Sequence, residues 1–285
     1  MSKDAAKTGL GPTALIAMEQ FNPLDERIVK DPLACDFLPL GMKIFVWFTR
    51  YDVFRHWLEN SAEKSIPGMW LGMLIRKKYI DDLLFDLNQS IEVVLNLGAG
   101  FDTRLFRLNK ELPLFELDQR VTIQKKRKLI KKYFGEIPRN INLIDTDFSQ
   151  NDLIKQLEIF GYDFSYQTFF IMEGVTQYLE KKTIGETFEF LSKAKKNSQL
   201  VFTYVRKDFI DGNVMYGWEA AYKKYVKKGI WTFGLLPDEI DDFLRKYGYK
   251  LIEDVSFHDL SQRMAIKDRG LALTEVERIV YCIKE

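Results

Sequence analysis

The sequence has little cysteine and little histidine, and this scarcity excludes several kinds of site. Its 285 residues include two cysteines, Cys35 and Cys282, and two histidines, His56 and His258. These four residues have no zinc-ligand spacing and form no disulfide framework, so we expect neither a metal site nor a disulfide. Two thiols in a chain of this size are typical of a reducing compartment, and we expect a cytoplasmic protein.

The sequence also lacks long apolar runs and an excess of charge of one sign. No run approaches bilayer length, and the first residues lack the basic-then-apolar pattern of a signal peptide. The formal net charge is +1, which does not favour binding to polyanions. One basic cluster, at 125–132, alternates with apolar residues and predicts the solvated face of a helix. We therefore expect neither a membrane nor a nucleic acid as a partner.

The chain predicts one α/β domain over residues 1–285. Residues 1–87 carry apolar residues at helical spacings and are interpreted as a helical N-terminal lid. After residue 88, short β-rich runs alternate with charged stretches of helical period. The seven runs that predict strands are 91–97, 114–117, 141–144, 168–172, 200–205, 250–257 and 278–283.

Strands that alternate with helices predict a Rossmann-like, mostly parallel seven-stranded sheet with helices on both faces. The last two strand runs have no clear helix between them, which favours an antiparallel strand at one edge. The core is expected in 88–207 and 235–285. Residues 208–234, rich in Tyr, Trp, Gly and Lys, are interpreted as an insertion near a substrate site. They could equally be a packing excursion, because aromatic residues often fill cores.

A glycine-rich turn follows the first predicted strand. Gly98, Ala99 and Gly100 stand between this strand and a predicted helix at 103–109, at the edge where open α/β sheets bind ligands. Asp118 ends the second predicted strand, 20 residues after Gly98. That spacing suits a carboxylate that accepts hydrogen bonds from ribose hydroxyls, although a helix N-cap is the simpler role.

The turn departs from the pattern of dinucleotide-binding proteins. Their third glycine is replaced by Thr103, and Asp102 stands at the start of the predicted helix, where it would repel a pyrophosphate. S-adenosylmethionine carries no phosphate. The pattern therefore favours S-adenosylmethionine over NAD, while Asp102 can also serve as a helix cap.

Longer motifs resemble one family. Residues 96–108 (NLGAGFDTRLFRL) are similar to the signature of the leucine carboxyl methyltransferases, class I S-adenosylmethionine-dependent enzymes that include tetracenomycin-type polyketide O-methyltransferases. Further segments resemble the family in the same order and extend the similarity over most of the chain from about residue 13. These segments are 31–34 (DPLA), 116–119 (ELDQ), 171–179 (IMEGVTQYL) and 233–237 (FGLLP).

The resemblance implies a set of cofactor-binding residues. Gly98, with Ala99 and Gly100, would line the methionine part, and Asp118 would bind the ribose. Glu173 would approach the cofactor's amino group, and Arg76 would hold its carboxylate through a charge-assisted contact.

The resemblance also places Asp147 beside the adenine, with Phe148 packed on the ring. Simpler roles exist, because Asp147 could cap a helix and Arg76 could belong to an exposed basic run at 76–78. Glu173 follows four apolar strand residues, and a carboxylate there is costly without a partner.

The predicted function is O-methylation of a carboxylate or phenolic hydroxyl on a small-molecule acceptor such as a polyketide. Tyr178, Tyr204 and Arg206 follow the fourth and fifth predicted strands and are candidates for the acceptor side, although each could be a structural hydrogen-bonding residue. Two alternatives stay open: a non-catalytic protein that binds S-adenosylmethionine or a nucleoside, and an NAD-linked oxidoreductase. The sequence does not indicate the oligomeric state.

Overall fold

The N-terminal part of the fold is helical, as the sequence predicts. The computed structural model describes residues 9–87, 90–108, 111–146 and 153–285. Its first four helices are α1 (Leu10–Glu19), α2 (Leu40–Phe48), α3 (Asp52–Ser65) and α4 (Met69–Phe85). Helix α4 is buried on most of its circumference, with Leu74, Ile75 and Ile80 inaccessible to solvent, because it packs between the sheet and the other N-terminal helices.

The sheet has seven strands and confirms the predicted fold class. In chain order they are β1 (Val93–Leu97), β2 (Leu114–Asp118), β3 (Ile141–Asp145), β4 (Thr168–Met172), β5 (Gln199–Val205), β6 (Tyr249–Val255) and β7 (Glu277–Lys284). Their order across the sheet is β3-β2-β1-β4-β5-β7-β6. Strands β1 to β5 are parallel, and β7 runs antiparallel to both β5 and β6.

The remaining helices connect the strands. They are α5 (Arg120–Phe134), α6 (Leu153–Ile159), α7 (Lys181–Ser192), α8 (Lys207–Ile210), α9 (Glu219–Ala221), α10 (Ile240–Arg245) and α11 (Phe257–Arg263). A π-helix, Tyr222–Val226, follows α9. Helix α11 lies in the connection between β6 and β7, for which the sequence predicts no helix. Its Ser256–Asp259 capping box is a local signal that indicates this helix.

Helices cover both faces of the sheet, and alternate strand residues point into two separate cores. On β5, Val201 packs with residues of α1, α2, α4, α5 and α11, whereas Phe202 and Tyr204 pack on the opposite face with residues of α7 and α10. This alternation follows from the pleat of a strand. Within the described part of the chain, no helix is both long enough and apolar enough to cross a membrane.

The basic cluster on α5 is exposed, as predicted, except for one residue. Lys126 is inaccessible to solvent and forms an ion pair with Glu116 on β2, with 2.6 Å between Nζ and Oε2. It lies on the buried stripe of the helix, three residues after Ile123 and four before Ile130. Burial raises the pKa of Glu116 to about 7 against the attraction of Lys126.

Candidate functional site

A cavity lies at the carboxyl ends of the parallel strands. Its volume is about 910 Å³, and it is bounded by the ends of β1, β2, β4 and β5, by α1 and α4, and by the 208–234 segment. Strand order reverses between β2 and β4, the two neighbours of β1. Ligands of open α/β sheets bind at this kind of crevice.

The glycine turn after β1 folds back over β2. The amides of Gly98 and Ala99 donate to the carbonyl oxygen of Leu117, at 2.8 and 3.0 Å. Gly98 has φ +75°, and a Cβ there would lie 2.4 Å from a methyl group of Val175. Gly100 has φ +51°, and no described atom lies within 4 Å of the position of its Cβ. Gly98 is therefore required by packing, and Gly100 leaves open space beside the turn.

The predicted helix at 103–109 is wrong. The structure has a single 3-10 turn, Arg104–Phe106, after Asp102. The Asp102 carboxylate accepts a 2.9 Å hydrogen bond from the amide of Arg104, and this bond closes the turn. Asp102 therefore caps a turn, as the simpler interpretation proposes, but no long helix begins at the site.

Asp118 holds the glycine turn in place. One carboxylate oxygen accepts from the amide of Gly100 and the other from the amide of Gln119, both at 2.7 Å. Burial raises the pKa of Asp118, and these two hydrogen bonds oppose that shift. The N-cap of α5 is Gln119, so Asp118 is not the cap. It lines the cavity, where the lone pairs left on its oxygens can accept from the two hydroxyls of a ribose.

Two buried arginines converge on Glu173. Arg104 donates to Glu173 at 2.6 Å and to Asp81 at 2.9 Å, and its side chain is inaccessible to solvent. Arg76 donates to Glu173 at 3.0 Å and to Glu277 at 2.8 Å. Burial alone would raise the pKa of Glu173, but the cationic neighbours, Arg104 first, lower it to about 2. Glu173 therefore stays ionised and fixed in orientation.

The interpretation of 76–78 as an exposed basic run is wrong for two of its three residues. Arg76 and Lys77 are buried, and only Lys78 is partly exposed. Lys77 forms an ion pair with Asp102. Although burial opposes ionisation, Arg104 and Lys77 hold the pKa of Asp102 well below its usual range. The two buried cations of α4 thus bind both sides of the site: Lys77 pairs with Asp102 after the glycine turn, and Arg76 pairs with Glu173 after β4.

The charge of this part of the cavity fits S-adenosylmethionine. The residues that line it include five carboxylates (Asp31, Asp102, Asp118, Glu173 and Glu277) and two cations (Arg76 and Lys77). S-adenosylmethionine has a sulfonium, an ammonium and one carboxylate, so its net charge is positive and complements this wall. A pyrophosphate would be repelled by it. Glu173 can accept from the ammonium and Arg76 can donate to the carboxylate.

We call the surface formed by the following residues the cofactor wall: Arg76, Lys77, Gly98, Ala99, Gly100, Asp102, Asp118 and Glu173. The structure therefore brings together six of the eight residues that the sequence predicts for cofactor binding. The other two, Asp147 and Phe148, lie outside the described residues.

Another group of residues that line the cavity is aromatic, and we call it the aromatic wall: Tyr178, Trp218, Tyr225 and Trp231. The rings of Tyr225 and Trp231 are stacked, with centroids 4.7 Å apart and planes at 11°. Tyr178 meets Trp231 edge-on at 6.2 Å. The indole of Trp218 donates to the carbonyl oxygen of Pro67 at 2.7 Å, so the 208–234 segment is joined to the loop before α4.

Of the three acceptor-side candidates, one is among the residues that line the cavity and two are not. Tyr178 lines the cavity, but Tyr204 and Arg206 are not among the described residues that do. Tyr204 is buried on the far face of the sheet, and its hydroxyl donates to Asp254 at 3.0 Å. Arg206 pairs with Asp208 at 2.7 Å. Strand alternation explains the first case, because Val205 points to the cavity and its neighbour Tyr204 points away.

The sequence interpretation missed several residues of the site. Arg104 stands inside the quoted family motif, and Lys77 lies next to Arg76, so a local signal existed for both. Glu277 had no such signal, because it is 201 residues from its partner Arg76. Gln177 and Trp231 also line the cavity, and each has a buried polar atom without a hydrogen-bond partner among the described residues.

Known proteins resemble this chain in sequence. A protein of Mycobacterium avium (strain 104), provisionally named an S-adenosyl-L-methionine-dependent methyltransferase, is 24% identical over 215 residues, which cover 74% of this chain and 69% of that protein. The protein YktD of Bacillus subtilis (strain 168), provisionally named in the same way, is 28% identical over 245 residues, which cover 79% of this chain and 77% of YktD.

Solved structures share the fold. A DUF574 family protein from Streptomyces avermitilis superposes with a TM-score of 0.59 at 13% identity and covers 79% of this chain and 88% of its own. A provisionally assigned methyltransferase from Thermobifida fusca gives a TM-score of 0.56 at 18% identity, with 79% and 86% covered.

The sequence relatives, the glycine turn and the charge of the cofactor wall agree on one cofactor, S-adenosylmethionine, and on methyl transfer as the activity. The model of one family, described as leucine carboxyl methyltransferase, matches residues 9–192, which is more than half of the chain. This chain is therefore an S-adenosylmethionine-dependent methyltransferase and belongs to the leucine carboxyl methyltransferase family.

Proposed function

We propose that the enzyme methylates an oxygen atom, a carboxylate or phenolic hydroxyl, of a small molecule with a large apolar body such as a polyketide. The observation that carries this proposal is the pairing of a charged cofactor wall with an aromatic wall across one cavity. The first wall suits the cofactor, and the second suits an acceptor with an aromatic or apolar body.

The reaction is an in-line displacement for which the bound cofactor supplies the activated methyl group. A carbon–oxygen bond forms as the carbon–sulfur bond breaks, the sulfonium becomes a neutral thioether, and a carboxylate becomes an ester with no proton to move. The task left to the chain is to align the acceptor oxygen with the methyl group and to exclude water. Alignment of this kind can contribute roughly 7–11 kcal/mol to lowering the barrier.

The acidic residues that line the cavity already take part in ion pairs or hydrogen bonds, and this favours a carboxylate over a phenol as the methyl acceptor. Asp102 and Glu173 are ion-paired, Glu277 accepts from Arg76, and Asp118 accepts from two amides. Asp31, the remaining carboxylate, accepts from Thr103 and from the amide of Leu33. No histidine is among the described residues that line the cavity. Among the described residues that line the cavity, no carboxylate or histidine is therefore free to act as a general base. A carboxylate acceptor needs none because it is ionised near neutrality.

The pH dependence of turnover tests this choice. For a carboxylate acceptor of pKa about 4, we expect kcat/KM to be nearly constant from about pH 6 to about pH 8.5. For a phenol of pKa about 10, kcat/KM would rise tenfold per pH unit through the same interval. The measurement is the initial rate of methylation of benzoate-type and phenol-type aromatic acceptors, followed by release of S-adenosylhomocysteine.

The same assay can contradict the proposal. If neither class of acceptor is methylated although the protein binds S-adenosylmethionine, then oxygen methylation of small aromatic molecules is wrong. Turnover of phenols alone, with a rate that follows their ionisation, would instead replace the carboxylate by the hydroxyl.

A further inference from the structure

Two lysines at the mouth of the cavity form no ion pair with a carboxylate of the described residues. Lys224 and Lys228 line the cavity and are exposed, and neither forms an ion pair with any described residue. Lys223 and Lys227, in the same segment, are exposed as well but do not line the cavity. The two cavity lysines are four residues apart and offer two positive charges beside the aromatic wall.

Lys224 contacts the aromatic wall directly. The ammonium of Lys224 lies 4.8 Å from the centroid of the Tyr225 ring. Tyr225 in turn stacks on Trp231, and its carbonyl oxygen accepts hydrogen bonds from the amides of Ile230 and Trp231, at 2.8 and 3.1 Å. Lys224 and Tyr225 belong to the π-helix, and helical turns of this kind occur frequently at functional sites.

Deeper in the cavity, three lining residues have a buried polar atom without a partner among the described residues: Trp70, Gln177 and Trp231. The indole Nε1 of Trp231 and the side-chain Oε1 of Gln177 make no hydrogen bond among the described residues. Trp231 is 8% exposed and Gln177 is 5% exposed, and both line the cavity. Buried polar atoms are nearly always satisfied, so an unpaired donor and an unpaired acceptor in one cavity wall indicate a polar ligand.

On the basis of the function proposed above, we propose that the acceptor is an aromatic acid with a second, non-reacting anionic group. Lys224 and Lys228 bind this second anion at the mouth of the cavity, and the ring packs against the Tyr225–Trp231 stack. The Trp231 indole donates to a polar substituent of the ring, and Gln177 accepts from one.

The position of the lysines explains why the second anion does not react. They are exposed at the mouth, where an anion keeps part of its hydration and costs little to bind. The cofactor wall has three carboxylates and two cations, so an anion is favoured there only where it would face the sulfonium of the bound cofactor. The sulfonium and the two lysines would therefore each attract one anionic group of the acceptor and orient it.

The experiment compares isosteric acceptors that differ by one charge. Terephthalate and the longer biphenyl dicarboxylate are each assayed beside their monoamides, in which one carboxylate is replaced by a neutral carboxamide. We expect KM to be about 2–30-fold lower for the matching dicarboxylate than for its monoamide, because each exposed lysine attracts the anion only weakly through solvent and the two lysines act together.

Variants then locate the anion site. In the double variant Lys224→Gln with Lys228→Gln, the preference for the dicarboxylate should disappear while KM for the monoamide stays the same. The matched control, Lys223→Gln with Lys227→Gln, removes the same charge from the same segment and should keep the preference. Arginine at 224 and 228 should restore it. Equal loss in both double variants would reduce the effect to general attraction and overturn the proposal.

The hydrogen-bonding part has its own variant. Trp231→Phe keeps an aromatic ring but removes the indole donor, and should raise KM for acceptors with a polar ring substituent about tenfold. KM for unsubstituted acceptors should rise less, because for them only the packing of the ring changes. If both kinds of acceptor respond equally, Trp231 acts only by packing.

Calorimetric titration of the same four compounds, in the presence of S-adenosylhomocysteine, separates the two proposals. If no compound is methylated but the dicarboxylates still bind more tightly than their monoamides, the proposed reaction fails and the anion site stands. If monoamides are methylated as efficiently as dicarboxylates, the reaction stands and the anion site fails.

Discussion

The two walls of the cavity are built in opposite ways. On the cofactor wall, the charged side chains are engaged within the chain: Glu173 pairs with Arg76 and Arg104, Asp102 pairs with Lys77, and Asp118 accepts from two backbone amides. Around the aromatic wall, Lys224 and Lys228 form no ion pair with described residues, and buried polar atoms of Trp231 and of the nearby Gln177 have no hydrogen-bond partner among the described residues.

This difference indicates which wall is complete without its ligand. The cofactor wall is preorganised by ion pairs within the chain, so the cofactor meets groups that already have their final orientation. The polar atoms of Trp231 and Gln177, by contrast, have no partner among the described residues. We therefore expect substitutions of the paired charges on the cofactor wall to affect folding as well as binding, and substitutions of the exposed Lys224 and Lys228 to affect mainly acceptor binding.

The largest effect should come from Arg104→Met. This change removes one of the two cations beside each buried carboxylate, because Asp81 keeps Arg107 and Glu173 keeps Arg76. Breaking a buried ion pair on one side costs about 3–5 kcal/mol. Urea unfolding at neutral pH gives the free energy of unfolding directly. The matched control is Lys78→Met, which removes a largely exposed pair with Asp82 and should cost less than about 1 kcal/mol. Similar losses in the two variants would mean that the buried network does not hold the cofactor wall together.

The two glycines of the turn should separate folding from binding. Gly98→Ala adds a Cβ 2.4 Å from Val175 at a positive φ and should destabilise the protein by about 2–4 kcal/mol. Gly100→Ala meets no described atom and should cost only the backbone strain of about 1–2 kcal/mol. Its Cβ would occupy the open space beside the turn, so its main effect should be weaker S-adenosylmethionine binding.

Thermal unfolding and calorimetric titration of the two variants check this prediction. Gly98→Ala should lower the stability more, and Gly100→Ala should weaken S-adenosylmethionine binding more. The two measurements should therefore rank the variants in opposite order. The same ranking in both would remove the distinction between a packing glycine and a ligand-facing one.

The smallest effect should come from Tyr225→Leu on the aromatic wall. Leucine keeps much of the apolar volume but loses the stack on Trp231, which contributes about 0.5–1.5 kcal/mol. KM for an aromatic acceptor should rise about 2–10-fold, with the Kd of S-adenosylmethionine unchanged. Tyr133→Leu, on the exposed side of α5, should change neither value. A change in cofactor affinity in Tyr225→Leu would show that the two walls are not independent.

The sequence predicts the cofactor wall well because its signals are local. An apolar strand run followed by two glycines, and an aspartate at the end of the next run, indicate Gly98, Gly100 and Asp118 without knowledge of the fold. The seven strands were predictable for the same reason. The ion pairs were not, because Arg104 meets Asp81 and Glu173 only after the sheet and α4 have packed together.

The acceptor side was harder to predict, also for a physical reason. Strand β5 is buried on both faces, so its apolar run has no alternation that shows which residue points to the cavity. Tyr204 was therefore as good a candidate as Val205. The aromatic composition of 208–234 indicated a substrate region, but the stacking of Tyr225 on Trp231 depends on the π-helix, for which no sequence signal was recognised.

The central claim is that the cofactor wall binds S-adenosylmethionine through groups that the fold holds in place. Calorimetric titration of the purified protein with S-adenosylmethionine and S-adenosylhomocysteine, with NAD as the control, tests it most directly. We predict micromolar binding of both sulfur compounds, severe weakening in Asp118→Ala, and no binding of NAD. A folded protein that binds neither sulfur compound, or that binds NAD in preference, would contradict the account.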